Sequence, residues 1–251
     1  MKRPTDSAAA LRSIPKHDTF RLLKMPMKTF VQTACLMATA LTATAAIVTE
    51  NYSYTVGSPT GNIPDTGLTA IFSQTISGSQ IETLTSVRVG LHLTGTATGE
   101  GWAGDLYVAL NRDLGSQTSV LLNQVGVTAG NAAGHGYDGW NVTLRDDAAA
   151  DIHGVTLSSG VLTGTHQPDG RLSPTDTARD AQLAVFNGMT GNGTWYLNLA
   201  DLSRGGTMVL NSWSLELVGN EYSAVPEPGA WATLGGGVLV GFAVWRRRRA
   251  A

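Results

Sequence analysis

The chain has 251 residues, a formal net charge of −2 and a single cysteine, Cys35. The near-neutral total hides a division, because every lysine lies at or before Lys28, whereas residues 46–229 contain 17 aspartates and glutamates against six arginines. Such an acidic segment repels nucleic acid and anionic membrane surfaces, which excludes nucleic-acid binding. Cys35 lies in an N-terminal segment with the features of a removable signal, so disulfides, Cys-ligated zinc and thiol nucleophiles are excluded as well.

Residues 1–45 predict a secretory signal peptide, with an extension in front of it that an over-long gene start would explain. Lys28 supplies the positive charge, and the apolar run that follows it is too short to span a bilayer. Ala43 and Ala45 match the small-x-small rule of signal peptidase, so we expect cleavage before Ala46. Residues 46–59 are expected to form a linker.

Alternation of apolar and polar residues dominates residues 60–220. A period of two with one apolar face is typical of half-buried antiparallel strands, and turn-forming pairs such as Asn187-Gly188 separate the runs. The sequence predicts an all-β fold, a jelly-roll-like antiparallel β-sandwich of about eight strands, with residues 164–179 as an exposed loop. The clearest alternating runs are residues 86–94, 105–110, 139–144, 194–201 and 212–219.

Ordered motifs in this region carry a family resemblance. They are, in chain order, IPDTG from Ile63, then Val87, Val89, Leu93, Thr94 and Thr96, then Gly104-Asp105-Leu106, then FNGMTGNGTWYLNLAD at 186–201 and LNSWSLELVG at 210–219. Over residues 60–220 they resemble the P domain, or P/Homo B domain, of subtilisin-like proprotein convertases. The resemblance implies a non-catalytic jelly roll that packs beside a protease and stabilises it. Gly95 stands where the family has a histidine.

The spacing of candidate catalytic residues gives little support to catalysis. The histidines His92, His135, His153 and His166 lack the H-x-x-x-H or H-E-x-x-H spacing of zinc enzymes. No G-x-S-x-G elbow marks a serine nucleophile. We therefore predict that the protein is not an enzyme.

Four aspartates at predicted strand ends are the candidate metal ligands: Asp105, Asp146, Asp147 and Asp201. Strand ends of an antiparallel sandwich gather at a common rim, where carboxylate oxygens can bind Ca²⁺. Some relatives of the P domain are also thought to bind calcium. The competing interpretation is that these aspartates cap strand ends and solvate turns.

Aromatic residues outside the strands are candidates for a sugar-binding platform. Trp102 and Tyr137 lie in predicted loops, where exposed rings would suit an exopolysaccharide. Trp140, Trp195 and Trp213 instead fall on the apolar side of their strands and are predicted to lie in the core.

The C-terminus has three parts. A linker at residues 221–228 ends in Pro226, Glu227 and Pro228, and residues 229–245 carry no charge. As a helix these residues rise about 25 Å, which nearly spans the ~30 Å hydrocarbon core. We therefore predict a single transmembrane helix, and its glycines make it a weak permanent anchor. The basic tail at 246–251 carries Arg246, Arg247, Arg248 and Arg249, which are expected to stay cytoplasmic.

These three parts together resemble the PEP-CTERM sorting signal. The resemblance implies recognition by an exosortase, a membrane-embedded, transpeptidase-like cysteine protease of exopolysaccharide-producing Gram-negative bacteria. The expected history is export through the inner membrane, transient anchoring, and release to the cell surface or extracellular matrix. A plain C-terminal anchor is the alternative for the tail. For the sandwich, the alternatives are a carbohydrate-binding module for exopolysaccharide, an enzyme of unfamiliar type and an accessory partner of a separate protease.

Overall fold

The computed structural model describes residues 45–65, 67–96, 101–115, 117–157, 159–222 and 228–250. Most of the predicted signal peptide, including Ala43, lies outside these residues. Ala45 and Ala46 lie within them, and the Ala46 carbonyl accepts a hydrogen bond from the Glu221 N–H at 2.8 Å. The chain is therefore tied to the fold from the residue that follows the predicted cleavage site.

Nine strands and one α-helix form the described part of the chain. In chain order they are β1 (Ile47–Thr55), β2 (Thr69–Ile76), β3 (Ile81–Gly95), β4 (Leu106–Arg112), β5 (Thr118–Asn123), β6 (Gly139–Leu144), β7 (Val161–His166), β8 (Gly193–Asp201), β9 (Met208–Glu221) and α1 (Pro228–Ala250). The five alternating runs are confirmed as β3, β4, β6, β8 and β9. Short 3-10 turns lie at Ala103–Asp105, Ile152–Gly154 and Leu183–Phe186.

Residues 46–59 are not a linker, because β1 occupies most of them. The alternation of apolar and polar residues does not reveal β1, because Glu50 stands on the face that packs inward, where an apolar residue would be expected. Glu50 is accommodated by two hydrogen bonds, one from the Tyr52 hydroxyl and one from the Gln80 N–H, each at 2.7 Å. The sandwich therefore begins at residue 47.

The strands form two sheets. The five-stranded sheet has the order β1-β9-β3-β6-β7, and the four-stranded sheet has the order β2-β8-β4-β5. A two-sheet β-fold is thus confirmed, but the expectation of purely antiparallel pairing is wrong at one place, since β7 pairs parallel to β6. The connection between β6 and β7 is long enough for the crossover that parallel strands require, and it contains the turn Ile152–Gly154.

The apolar faces of the two sheets enclose one core. Trp140, Trp195 and Trp213 are all at most 2 % exposed, which confirms their predicted place in it. Phe186 meets the Trp195 ring edge-on with centroids 5.0 Å apart, and Tyr54 from the edge strand packs on Trp213 at 4.8 Å. Such pairs add specific geometry to the burial of large rings.

Residues 164–179 are not simply an exposed loop. Their first three residues complete β7, and Pro168, Asp169 and Gly170 are buried. The segment lies against β5, where the Asp169 and Gly170 N–H groups donate to the carbonyls of Leu121 and Val120. Its polar composition gave no sign of this, because a segment that buries its backbone in hydrogen bonds needs no apolar period.

The C-terminal helix forms where it was predicted and begins at Pro228, a favourable residue for the first turn. Among the described residues, however, no helix is both long and apolar enough to cross a membrane. The prediction of a transmembrane helix over residues 229–245 is therefore not upheld. The stretch has only 17 uncharged residues, five of them glycine, and four arginines follow at once.

The alternation of β9 predicts that substitutions at two neighbouring residues change the free energy of unfolding by very different amounts. Leu215 is 1 % exposed in the core, so Leu215→Ala should lower the free energy of unfolding by about 2–5 kcal/mol. The preceding residue, Ser214, faces outward, and Ser214→Ala should change the free energy of unfolding by less than about 0.5 kcal/mol. Urea denaturation measures both, and equal losses would contradict the assigned faces.

Candidate functional site

A buried charged cluster joins the two long connections around β7. We call it the loop network; its members are Asp151, His153, Asp169, Arg171 and Arg179. Asp169 is its centre and is fully buried. Its carboxylate accepts from His153 Nδ1 at 2.6 Å, from an Arg171 guanidinium N–H at 3.1 Å and from the Asn123 N–H at 3.3 Å. Arg171 also reaches Asp151 at 2.7 Å.

Both ring nitrogens of His153 face acceptors. Nδ1 lies at the Asp169 carboxylate, and Nε2 lies 3.0 Å from the Val127 carbonyl oxygen. Burial alone would lower the pKa of His153, but the hydrogen bond and charge of Asp169, with the Val127 carbonyl, raise it above its ordinary value. Two acceptors call for two N–H donors, so the geometry fits the imidazolium form.

The loop network stabilises structure and presents no free base. A general base needs an unoccupied nitrogen within reach of a substrate proton, and His153 has none. Arg179 completes the arrangement by donating to backbone carbonyls, including that of Asp169 at 2.9 Å. The network therefore holds the turn Ile152–Gly154 and residues 169–181 against β5.

A second acidic group lies where β4 begins and β8 ends. Leu106 pairs with Asp201 across these antiparallel strands, which places Asp105 and Asp201 at one rim, as predicted. Asp201 is 2 % exposed. Burial raises its pKa to about 6, with the nearby charges of Asp65 and Asp105 adding to the shift. Asp65 was missed from sequence because it belongs to a turn more than 130 residues before Asp201.

Asp146 and Asp147 do not join that rim, so the predicted calcium set is not assembled. Asp146 accepts from the Leu183 N–H at 3.0 Å and the Ala184 N–H at 2.6 Å, and Asp147 pairs with Arg145. Both follow β6, which belongs to the other sheet. Within the described ranges, no group of three or more histidine, cysteine, aspartate or glutamate side chains is placed to hold a metal ion.

The two rings predicted to bind sugar differ in their exposure to solvent. Tyr137 is fully buried, with its ring edge-on to Trp140 at 5.7 Å, so its assignment as an exposed ligand is wrong. Tyr137 lies two residues before β6, and its ring turns into the core beside that strand. Trp102 is 40 % exposed, but its indole N–H donates to the Ala133 carbonyl at 2.6 Å and its ring lies close over Gly136.

The C-terminal segment presents the remaining candidate residues. Pro226 and Glu227 lie outside the described residues, and Pro228 is the first residue of α1. The four arginines lie exposed in the last turns of the helix, where positive charge is favourable. The Arg249 guanidinium lies 4.3 Å from the centre of the Trp245 ring.

The family comparison agrees with this arrangement. The model of the PEP-CTERM protein-sorting motif matches residues 224–249. The chain therefore carries the signal of an exosortase-sorted, secreted protein, a signal that belongs to extracellular or cell-surface proteins of Gram-negative bacteria. No curated protein matches the chain.

Two solved structures are similar to the chain. One is the serine protease of Aeromonas sobria in complex with the chaperone ORF2, at 16 % identity over 76 % of this chain and 30 % of that chain, with a TM-score of 0.40. The other is the Aeromonas sobria serine protease itself, at 17 % identity over 75 % of this chain and 30 % of that chain, also with a TM-score of 0.40.

Removal of the central carboxylate of the loop network should be costly. Asp169→Ala leaves the buried His153 without its carboxylate and takes one of two carboxylates from Arg171, so we expect a loss of about 3–5 kcal/mol in the free energy of unfolding. The exposed Asp180 in the same segment is the control, and Asp180→Ala should cost less than about 0.5 kcal/mol. Urea unfolding at constant pH gives both values, and a similar small loss in the two variants would contradict a structural role for the network.

The raised pKa of Asp201 predicts a pH-dependent gain from its removal. Because the folded-state pKa is about 6, above the ordinary value of 3.8, the folding stability from this group is present at low pH and is lost as pH rises through 6. Asp201→Asn should therefore raise the melting temperature at pH 8, and the gain should shrink to nothing near pH 4. Calorimetry across this range measures it.

Asp147→Asn is the control, because the pKa shift of Asp147 has the opposite sign. The hydrogen bond from Arg145 lowers the pKa of Asp147. This variant should not gain stability at pH 8. A gain of the same size in both variants would show that general charge repulsion, and not the burial of Asp201, is responsible.

Proposed function

We propose that this protein is a non-catalytic binding module that an exosortase delivers to the cell surface or extracellular matrix. The observation that carries the proposal is the sorting motif at residues 224–249, whose final part is an exposed helix ending in four arginines. The protein is then a substrate of the exosortase, and its sandwich is the delivered part.

The strand order supports a P-domain-like jelly roll as the delivered module. Six of the eight successive connections cross from one sheet to the other, with β1, β3, β6, β7 and β9 in one sheet and β2, β4, β5 and β8 in the other. Connections that pass over the ends of a sandwich in this way are typical of Greek-key and jelly-roll folds. The resemblance of residues 60–220 to convertase P domains adds the expectation of a stabilising or binding role.

The fixed position of His153 supports a non-catalytic role. Both of its ring nitrogens lie at acceptors, the Asp169 carboxylate and the Val127 carbonyl oxygen. A His–carboxylate pair is the usual start of a hydrolytic site, and in the loop network it is part of an ion-pair cluster instead.

Carbohydrate binding is a second candidate function, and the exposed edge of Trp102 favours it. Against a platform at that residue stands the backbone of Gly136, which covers one side of the ring. The role of accessory partner to a separate protease rests on the family resemblance alone.

Mass spectrometry of the C-terminus after cell fractionation tests the sorting. We expect the protein in the surface or matrix fraction to lack Arg246–Arg249. Alanine substitution of Pro226, Glu227 and Pro228 together should leave the tail in place and keep the protein with the cell pellet. Glu221→Ala, just upstream, is the control and should be processed normally. An intact arginine tail on correctly delivered protein would refute the proposal.

A further inference from the structure

The outer face of the five-stranded sheet carries a shallow groove that runs across the strands. Its volume is about 110 Å³. Four strands contribute to it, with Ser53, Ser214, Gly90 and Thr143 along the bottom and with Arg88 and Glu216 on one side. None of these residues belongs to the loop network or to the sorting segment.

The strand register extends the bottom of the groove across the whole sheet. Ser53 lies opposite Ser214, Ser214 opposite Gly90, Gly90 opposite Thr143, and Thr143 opposite Thr165. We call these five residues, one from each strand, the floor. At about 4.8 Å per strand the floor is about 19 Å long. No side chain in it is larger than threonine, so a trench crosses the sheet and opens at both edges.

Larger side chains stand beside the floor on β3, β6 and β9 and carry no net charge. On one side Arg88 pairs with Glu216, and the neighbouring Arg145 pairs with Asp147. The charge of Glu216 also acts on Arg145, which shows that the two pairs are close. On the other side His92 lies opposite Asn141, two residues further along β3. The rest of that row consists of Thr55, Ser212 and Thr163, so this side is bordered only at β3 and β6.

The hydroxyls of the floor are free to bind a ligand. Across the described ranges, Ser53, Ser214, Thr143 and Thr165 make no side-chain hydrogen bond. The outer face of the four-stranded sheet differs, because two pairs of its polar side chains already bond to each other. There the Asn198 amide donates to Asn111 at 2.6 Å, and the Thr75 and Thr194 hydroxyls lie 2.9 Å apart.

We propose that this trench binds a neutral polysaccharide chain laid across the five strands. A row of free hydroxyls, bordered by guanidinium, carboxylate and amide groups, offers the hydrogen-bond donors and acceptors that sugar hydroxyls require. A trench open at both ends suits a polymer, which can enter at one sheet edge and leave at the other. An extended peptide would instead pair along an edge strand, parallel to the existing strands.

Charge decides between neutral and acidic polymers. The borders of the trench are balanced, and residues 46–229 carry 17 acidic side chains against six arginines. The field of such a domain repels a polyuronate and leaves a neutral chain unaffected. This inference rests on the proposed function, since only a delivered protein meets extracellular polysaccharide.

Gly90→Val is the decisive variant because it fills the floor without straining the backbone. A Cβ at Gly90 would clash with the Ser214 hydroxyl oxygen and meet the rest of Ser214 at ordinary contact distance, and a rotation of that hydroxyl relieves the clash. Valine is favourable in strands, where glycine is not, so the melting temperature should not fall. Thr143→Val is the second variant, which removes one hydroxyl at constant shape.

Affinity electrophoresis of the secreted protein through gels containing dextran, laminarin or hydroxyethylcellulose, with alginate as the acidic polymer, tests the proposal. We expect retardation by at least one neutral polymer and none by alginate. Gly90→Val should weaken binding by roughly tenfold or more, and Thr143→Val by roughly threefold to tenfold. Ser73→Val adds similar bulk to the outer face of the four-stranded sheet and should bind as the unsubstituted protein does.

The proposal is overturned if no neutral polymer retards the protein, if alginate alone does, or if both trench variants keep full affinity. Binding that is lost in Trp102→Ala but kept in Gly90→Val would place the site at the Trp102 loop and would also overturn it. The C-terminal mass measurement is independent of these gels, so a failed trench and a failed sorting proposal give different results.

Discussion

The pairing of β3 with β9 is the interaction on which the other elements depend. These two longest strands lie side by side near the middle of the five-stranded sheet, and their paired residues are more than a hundred positions apart, as Arg88 and Glu216 illustrate. β1 pairs with β9, and β6 pairs with β3, so both edges of the sheet are attached through this central pair. The inner face of the pair supplies core residues such as Trp213, and its outer face supplies the trench. Closing such a long loop costs chain entropy that burial of this core must offset.

The domain buries charged groups in two different environments. In the loop network, Asp169 is surrounded by donors, and His153 gains its proton there. At the rim of β4 and β8, Asp201 has carboxylates for neighbours and its pKa rises instead. Both raised pKa values mean that the folded state binds more protons than the unfolded chain. The contribution of these two groups to stability therefore declines as the pH rises.

Sequence reasoning succeeded where periodicity reports on burial. Runs such as residues 212–219 alternate because one face of the strand is apolar, and the three core tryptophans follow directly from that alternation. It failed for β1, where Glu50 interrupts the apolar face, and for Tyr137, which sits beside a strand and still turns into the core. The aspartates show both outcomes. Asp105 and Asp201 meet because their strands pair, whereas Asp146 belongs to the other sheet, and only the strand order separates these cases.

The sequence by itself determined the destination of the protein and its fold class. A sorting motif is a contiguous segment that a separate enzyme recognises, and strand alternation is a local consequence of a pleated backbone. Both can therefore be recognised without knowing which residues lie nearby in space. The tertiary structure alone decided the loop network, the rim around Asp201 and the trench along Gly90. Each of these brings together residues from distant strands or connections, and their proximity depends on register and sheet order. Those are properties of long-range pairing, and no local sequence pattern encodes them.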